Sequence, residues 1–139
     1  MLETEPALIE QYVKTGEARL IYRHLFQLGE SSRLLAEASE CAGEQGKFWE
    51  MRELIYEQQG GLYSATTETL APLAEELDLD GAQFAQCLDS GQFRQQVEDD
   101  YAAAQREGVR SRPVMDINDQ RIIGAQPFAQ YQQAIEAAK

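Results

Sequence analysis

The chain has 139 residues, of which 24 are acidic and 12 are basic, so its formal net charge at pH 7 is −12. This length suits one domain that can bury a hydrophobic core without metal or disulfide support. The basic residues are scattered singly, and contact with a nucleic-acid backbone needs a basic face, so no nucleic-acid partner is expected. No apolar run reaches the ~20 residues that span a bilayer, so no membrane partner is expected either.

The first residues, Met-Leu-Glu-Thr-Glu-Pro, lack the basic and apolar regions of a signal peptide. As written, the sequence therefore predicts a cytoplasmic protein, and nothing else in it identifies a compartment.

Two cysteines, Cys41 and Cys87, are separated by 46 positions, and the chain has one histidine, His24. No Cys-x-x-Cys motif and no zinc-finger spacing is present, so neither a metal site nor a cofactor is predicted. Two interpretations of the cysteines stay open at this point. They are either two buried free thiols or one structural disulfide.

Near the N-terminus, residues 6–14 predict a helix, because Leu8, Ile9, Tyr12 and Val13 recur on one face. Residues 19–24, Arg-Leu-Ile-Tyr-Arg-His, form a short apolar run rich in β-forming residues and predict a strand.

From residue 31 to residue 107 the pattern is helical almost throughout, with five predicted helices. The first carries Leu34, Leu35, Ala38 and Cys41 inward, and the second begins near Phe48 and ends at Gly60-Gly61. The third starts at Thr67 and the fourth is capped by Asp80, with Phe84, Cys87 and Leu88 on its apolar face. The fifth runs from Phe93 to residue 107.

The C-terminal stretch predicts a β-hairpin followed by a helix. Pro113 stands at the first residue of a strand at 114–117, where its missing N–H falls outside the ladder. Asn118-Asp119 is a two-residue turn that tolerates positive φ, and residues 121–125 form the returning strand. Pro127 occupies a position typical of the first turn of a helix.

The sequence resembles the DsbA-like thiol–disulfide oxidoreductases, in which a helical domain is inserted into a thioredoxin fold. The segments that carry the resemblance span nearly the whole chain in the family's order, and they are residues 8–16, 19–23, 40–49 (Glu-Cys-Ala-Gly-Glu-Gln-Gly-Lys-Phe-Trp), 87–91 (Cys-Leu-Asp-Ser-Gly), 108–113 (Gly-Val-Arg-Ser-Arg-Pro), 117–118 and 124–128 (Gly-Ala-Gln-Pro-Phe). The resemblance implies an α/β, thioredoxin-like fold, with residues 1–29 and 108–139 in the thioredoxin-like part and residues 30–107 in an inserted helical subdomain.

The resemblance also implies roles for individual residues. Arg112 and Pro113 correspond to the family's substrate-binding loop, in which the proline is cis. Cys41 and Cys87 are expected to face each other, as a structural disulfide if the protein meets an oxidising compartment. Family members are usually extracytoplasmic.

Three departures from the family affect function. The chain starts at what resembles the second half of the first helix, so the Cys-x-x-Cys pair and the central strand before it are absent, and no catalytic residue is assigned. Arg112 stands where the family has a small or β-branched residue. Asp116 stands at a strand position that is typically aromatic and buried, so its face of the strand is expected to be open or paired with an arginine.

Three functions follow as expectations. The first is a thiol–disulfide oxidoreductase relative that is inactive as this chain. The second is a non-catalytic module that binds peptide or assembles with itself, with a homodimer completing the sheet and protein or peptide segments as partners. The third and weakest is a relative of the kappa-type glutathione transferases and isomerases, which share the architecture.

Overall fold

The computed structural model describes residues 3–26 and 29–139. The chain divides into two compact units, one of Met1–Arg23 with Ala104–Lys139 and one of His24–Ala103. The boundaries predicted from the sequence lie a few residues later, between residues 29 and 30 and between residues 107 and 108.

The first unit combines an N-terminal helical segment, a hairpin and a C-terminal helix. The helical segment starts as α1 (Thr4–Leu8) and continues as a π-helical turn (Ile9–Val13). The hairpin consists of β1 (Val114–Ile117) and β2 (Gln120–Ile123), and α7 (Phe128–Ala137) ends the unit. Pro127 directly precedes α7 with an extended backbone, one position before the predicted first turn.

The hairpin is antiparallel, and its register pairs Val114 with Ile123 and Ile117 with Gln120. Asn118, the first residue of the two-residue turn, has a φ of 51°, as the turn chemistry predicted. The returning strand begins one residue earlier than predicted. Beyond its last residue, the Gly124 N–H donates to the Pro113 carbonyl over 2.8 Å and continues the pairing.

The predicted strand at residues 19–24 is wrong, because residues 18–26 have no regular secondary structure. Among the described residues the only sheet is the two-stranded hairpin. β-forming side chains favour a pleated backbone only where a neighbouring strand completes the hydrogen-bond ladder. No such neighbour lies beside residues 19–24 in the described part of the chain.

The core of the first unit forms where the helices meet one face of the hairpin. Its fully buried members come from α1, the π-helical turn, β2 and α7, and they are Leu8, Tyr12, Ile122, Tyr131 and Ala134. Met115 and Ile117 of β1 pack against this cluster. The Tyr131 hydroxyl donates to the Gly124 carbonyl and accepts from the Gln126 N–H, each over 3.2 Å, which fixes the end of the hairpin against α7.

The second unit is helical. It contains α2 (Glu30–Gly43), α3 (Phe48–Glu57) with a 3₁₀ turn (Gln59–Gly61), α4 (Thr67–Glu76), α5 (Gly81–Ser90) and most of α6 (Arg94–Arg106). All five helices predicted from the sequence are present within a few residues of their expected bounds.

Local capping chemistry sets several of these bounds. Asp80 caps α5, as predicted, with its carboxylate accepting from the Gln83 N–H over 3.0 Å. Thr66 caps α4 in a reciprocal arrangement with Thr69. Gly91 ends α5 in the left-handed conformation that glycine adopts without steric cost. The core of this unit is apolar and centred on α2, α4 and α5, with Leu70, Phe84 and Leu88 nearly inaccessible.

Candidate functional site

The loop before β1 contains the two residues that the family resemblance marks as substrate-binding. The Arg112–Pro113 peptide bond is cis. The Arg112 side chain is exposed and Pro113 is half-buried. Because Pro113 directly precedes β1, Arg112 lies two residues before the first residue of the strand.

One edge of β1 is open. In an antiparallel pair the backbone groups of alternate residues point toward the partner strand and away from it. The Pro113 carbonyl accepts a hydrogen bond from Gly124, so the backbone groups of Met115 and Ile117 also point toward β2. The N–H and C=O groups of Val114 and Asp116 therefore point to the opposite edge. In the part of the chain that the structure describes, no strand pairs with that edge.

The outward face of the hairpin carries a bidentate ion pair. Arg121 Nε donates to Asp116 Oδ1 over 2.8 Å, and its Nη2 donates to Oδ2 over 3.0 Å. Arg121 Nη1 also donates to the Glu107 carbonyl over 2.8 Å. The hydrogen bonds from Arg121 lower the pKa of Asp116, and those to Asp116 raise the pKa of Arg121. The expectation of an open or arginine-paired face at Asp116 is confirmed, since both conditions hold.

Beside this ion pair the outward face is apolar and accessible. Ile123 is 61% exposed and lies directly opposite the half-buried Val114. A large aliphatic side chain with this exposure on a sheet face is a candidate contact for another segment. Ile21, in the irregular segment of the same unit, is also exposed, at 63%.

Cys41 of α2 and Cys87 of α5 form a disulfide with a Cα–Cα distance of 5.9 Å. Both residues are buried, at 2% and 4% exposure, within the apolar core of the helical unit. The pairing implied by the family resemblance is therefore present. Neither sulfur is available as a thiolate ligand or nucleophile in this state.

His24 is a buried, hydrogen-bonded residue. Its Nε2 lies 2.8 Å from Glu40 Oε1, and its backbone N–H donates to Asp100 Oδ2 over 3.1 Å. Its side chain is 3% exposed. These contacts assign it to the interior of the helical unit.

The edge at Val114 and Asp116, unpaired among the described residues, agrees with the exposed strand edge expected from the sequence. One buried group was missed. Glu37 is a fully buried carboxylate on α2 whose two oxygens accept no hydrogen bond. The helical periodicity that places Leu34, Ala38 and Cys41 inward also places position 37 on the buried face, so the sequence pattern could have indicated the burial of Glu37.

Among the residues that the structure describes, no helix is long and apolar enough to cross a membrane. Across the same residues, no group of three or more histidine, cysteine, aspartate and glutamate side chains is placed to hold a metal ion.

Comparison with known proteins gives one family match and several relatives. A family model described as Thioredoxin matches residues 1–137. The Na(+)/H(+) antiporter NhaA 1 of Salinispora arenicola is 31% identical over 98% of this chain, and NhaA 3 of Salinispora tropica is 34% identical over 86% of it. The chain spans about a fifth of the length of these curated relatives, 21% and 18%.

A solved structure has the same fold. Oxidised BdbD from Bacillus subtilis superposes with a TM-score of 0.85 at 23% identity, covering 98% of this chain and 76% of that one. The thioredoxin-like and helical units described above account for this likeness. The chain belongs to the thioredoxin family, in the DsbA-like form whose helical unit interrupts the thioredoxin-like part.

Proposed function

We propose that this chain is a non-catalytic binding member of its family, which accepts an extended protein segment along the open edge of β1 and does not itself exchange disulfides. The observation that carries the proposal is the backbone of Val114 and Asp116 at that edge, which pairs with no strand in the described part of the chain. The proposed function is the second of the functions expected from the sequence, together with the lack of catalytic activity expected in the first.

The cysteine chemistry supports the absence of turnover. Thiol–disulfide exchange needs an accessible thiolate that attacks a substrate disulfide. Cys41 and Cys87 are the two cysteines of the chain, and both are buried in a disulfide within the helical unit. The family's active site is a Cys-x-x-Cys at a helix start, which this sequence does not contain.

The backbone geometry supports strand addition. An extended peptide that joins a sheet edge gains main-chain hydrogen bonds, and its alternate side chains contact the sheet face. Here the edge offers the N–H and C=O groups of two residues, and half-buried Val114 and exposed Ile123 lie on the adjoining face. The Arg112–Pro113 loop leads directly into this edge, so an added segment would run beside it.

The proposal is tested with a matched pair of variants at one position. Asp116→Pro removes the N–H that points to the open edge, while no hydrogen bond to β2 is lost. Asp116→Ala breaks the same ion pair with Arg121 but keeps the N–H. We expect peptides selected for binding to the wild type to retain affinity for Asp116→Ala and to lose about tenfold or more with Asp116→Pro, measured by calorimetry.

Turnover is tested in parallel. We expect the chain to leave the rate of insulin reduction by dithiothreitol unchanged. Acceleration of that reaction would contradict the inactive assignment, and equal peptide binding by the two Asp116 variants would contradict strand addition at this edge.

We propose self-association through the same edge as a second candidate, because two copies of β1 can pair with each other when no partner is present. Light scattering across a concentration series should then show a dimer for the wild type and a monomer for Asp116→Pro. A wild-type monomer at all concentrations would exclude the dimer without affecting the binding of a partner segment.

A further inference from the structure

The net charge of this protein is confined to one of its two units. The helical unit, residues 24–103, has 16 acidic and 4 basic residues. The thioredoxin-like unit, residues 1–23 and 104–139, has 8 of each and is neutral overall. The overall charge of −12 therefore does not describe the unit that contains β1.

Within the neutral unit, basic residues concentrate just before β1. Residues 106–112 read Arg-Glu-Gly-Val-Arg-Ser-Arg, which is three arginines and one glutamate in seven positions. The Arg110 and Arg112 side chains are exposed, and among the described residues neither makes an ion pair or a side-chain hydrogen bond. Their charge is thus available to a ligand.

Glu107 and Asp116, the acidic residues nearest to Arg110 and Arg112 in the sequence, both contact other arginines. Glu107 lies 3.4 Å from Arg23 Nη1 through Oε1 and 3.9 Å from Arg121 Nη2 through Oε2. Asp116 is held by the bidentate contact with Arg121. These two carboxylates therefore contact arginines of their own unit, whereas Arg110 and Arg112 pair with no acidic group among the residues that the structure describes.

We propose that the segment added to the β1 edge is acidic, an extended stretch of a partner protein whose aspartates or glutamates contact Arg110 and Arg112. This inference rests on the proposed function and names the chemistry of its partner. Arg112 lies two residues before Val114 in the chain. A segment paired with Val114 and Asp116 that continues past Pro113 would carry its next side chains alongside the arginines.

Guanidinium groups suit this role because they remain charged and bind carboxylates with two parallel hydrogen bonds.

The test uses the full chain and two labelled peptides with the same alternating Val-Thr core, one ending in glutamates and one ending in lysines. Fluorescence anisotropy should show about tenfold tighter binding of the glutamate peptide at low salt, with a smaller ratio at high salt. Arg110→Glu with Arg112→Glu should reverse the preference. Lys47→Glu, an exposed charge reversal in the helical unit, should leave the preference intact.

Each outcome separates this inference from the function on which it rests. Equal binding of both peptides, lost in Asp116→Pro, would overturn the acidic preference and leave strand addition standing. Binding of neither peptide would overturn both. A glutamate preference that survives the double arginine variant would overturn the assignment to Arg110 and Arg112, provided that circular dichroism shows the variant folded.

Discussion

At the scale of single residues, Glu37 is the most unusual side chain in the structure. It lies on α2 one helical turn before Cys41, fully inaccessible, with Arg33 Nε 3.6 Å from Oε2 and Arg94 Nε 3.8 Å from Oε1. Burial raises the pKa of this carboxyl above its ordinary value of 4.5, and the attraction of Arg94 and Arg33 offsets only part of that effect. A buried carboxylate without hydrogen bonds costs free energy in the folded state.

Glu37 should make the folded state less stable as the pH rises. Its folded-state pKa is above the unfolded value, so over the interval between the two the folded state holds the proton and the unfolded state does not. The free energy of unfolding therefore falls as the pH rises from about 4.5 through the folded pKa, and this contribution is constant outside the interval.

Glu37→Gln removes this titration, and we expect a flatter dependence of stability on pH than in the wild type, measured by urea unfolding at a series of pH values. Glu53→Gln, on an exposed position of α3, is the control and should reproduce the wild-type profile. If Glu37→Gln and the wild type show the same dependence of stability on pH, the buried carboxyl of Glu37 does not cause that dependence.

At the scale of elements, the hairpin depends on its turn. Asn118 adopts a φ of 51°, in the left-handed region where a residue with a Cβ is strained and where asparagine and glycine are the usual occupants. The turn fixes the register, and the register decides that Val114 and Asp116 face the open edge.

Comparison of Asn118→Ala with Asn118→Gly isolates the backbone requirement, because both changes remove the side-chain amide. We expect Asn118→Ala to be less stable than Asn118→Gly by about 1 kcal/mol in urea unfolding. Equal stabilities would mean that the left-handed conformation does not matter to the hairpin.

The disulfide joins two other elements, α2 and α5, across a sequence separation of 46. A cross-link of this span restricts the unfolded chain, with a typical stabilisation of about 2–4 kcal/mol. We expect the double variant Cys41→Ala, Cys87→Ala to lose this amount relative to the oxidised wild type in urea unfolding.

Reduction provides the control for that variant. In the presence of a reductant the wild type and the double variant should unfold at similar urea concentrations, since only the wild type has a bond to lose. If the double variant remains less stable than the wild type in the presence of reductant, the lost packing of the cysteine side chains, and not the lost cross-link, accounts for the difference.

The sequence was a good guide to elements whose signals are local. Asp80 as an N-cap and Asn118 at a tight turn each act within a few residues, so the pattern alone located the start of α5 and the hairpin. Residues 19–24 have strong β-forming side chains but no strand, because a strand requires a partner that local sequence does not reveal. The Asp116–Arg121 pairing and the burial of Glu37 also depend on tertiary neighbours.

At the scale of the whole molecule, a thioredoxin-family scaffold carries its two cysteines in the helical unit, and the outer edge of β1 in the other unit pairs with none of the residues that the structure describes. The net negative charge lies in the helical unit, and the unit without net charge contains both β1 and the preceding loop with Arg110 and Arg112. These features together favour recognition of an extended segment over thiol chemistry.

Amide hydrogen exchange at individual residues of β1, followed by NMR, tests this account most directly. In the free protein we expect the amides of Val114 and Asp116 to exchange rapidly while those of Met115 and Ile117, which face β2, are protected. Addition of the glutamate peptide should protect Val114 and Asp116 as well. Protection of these two amides in the free monomer, or no change when the peptide is bound, would contradict the account.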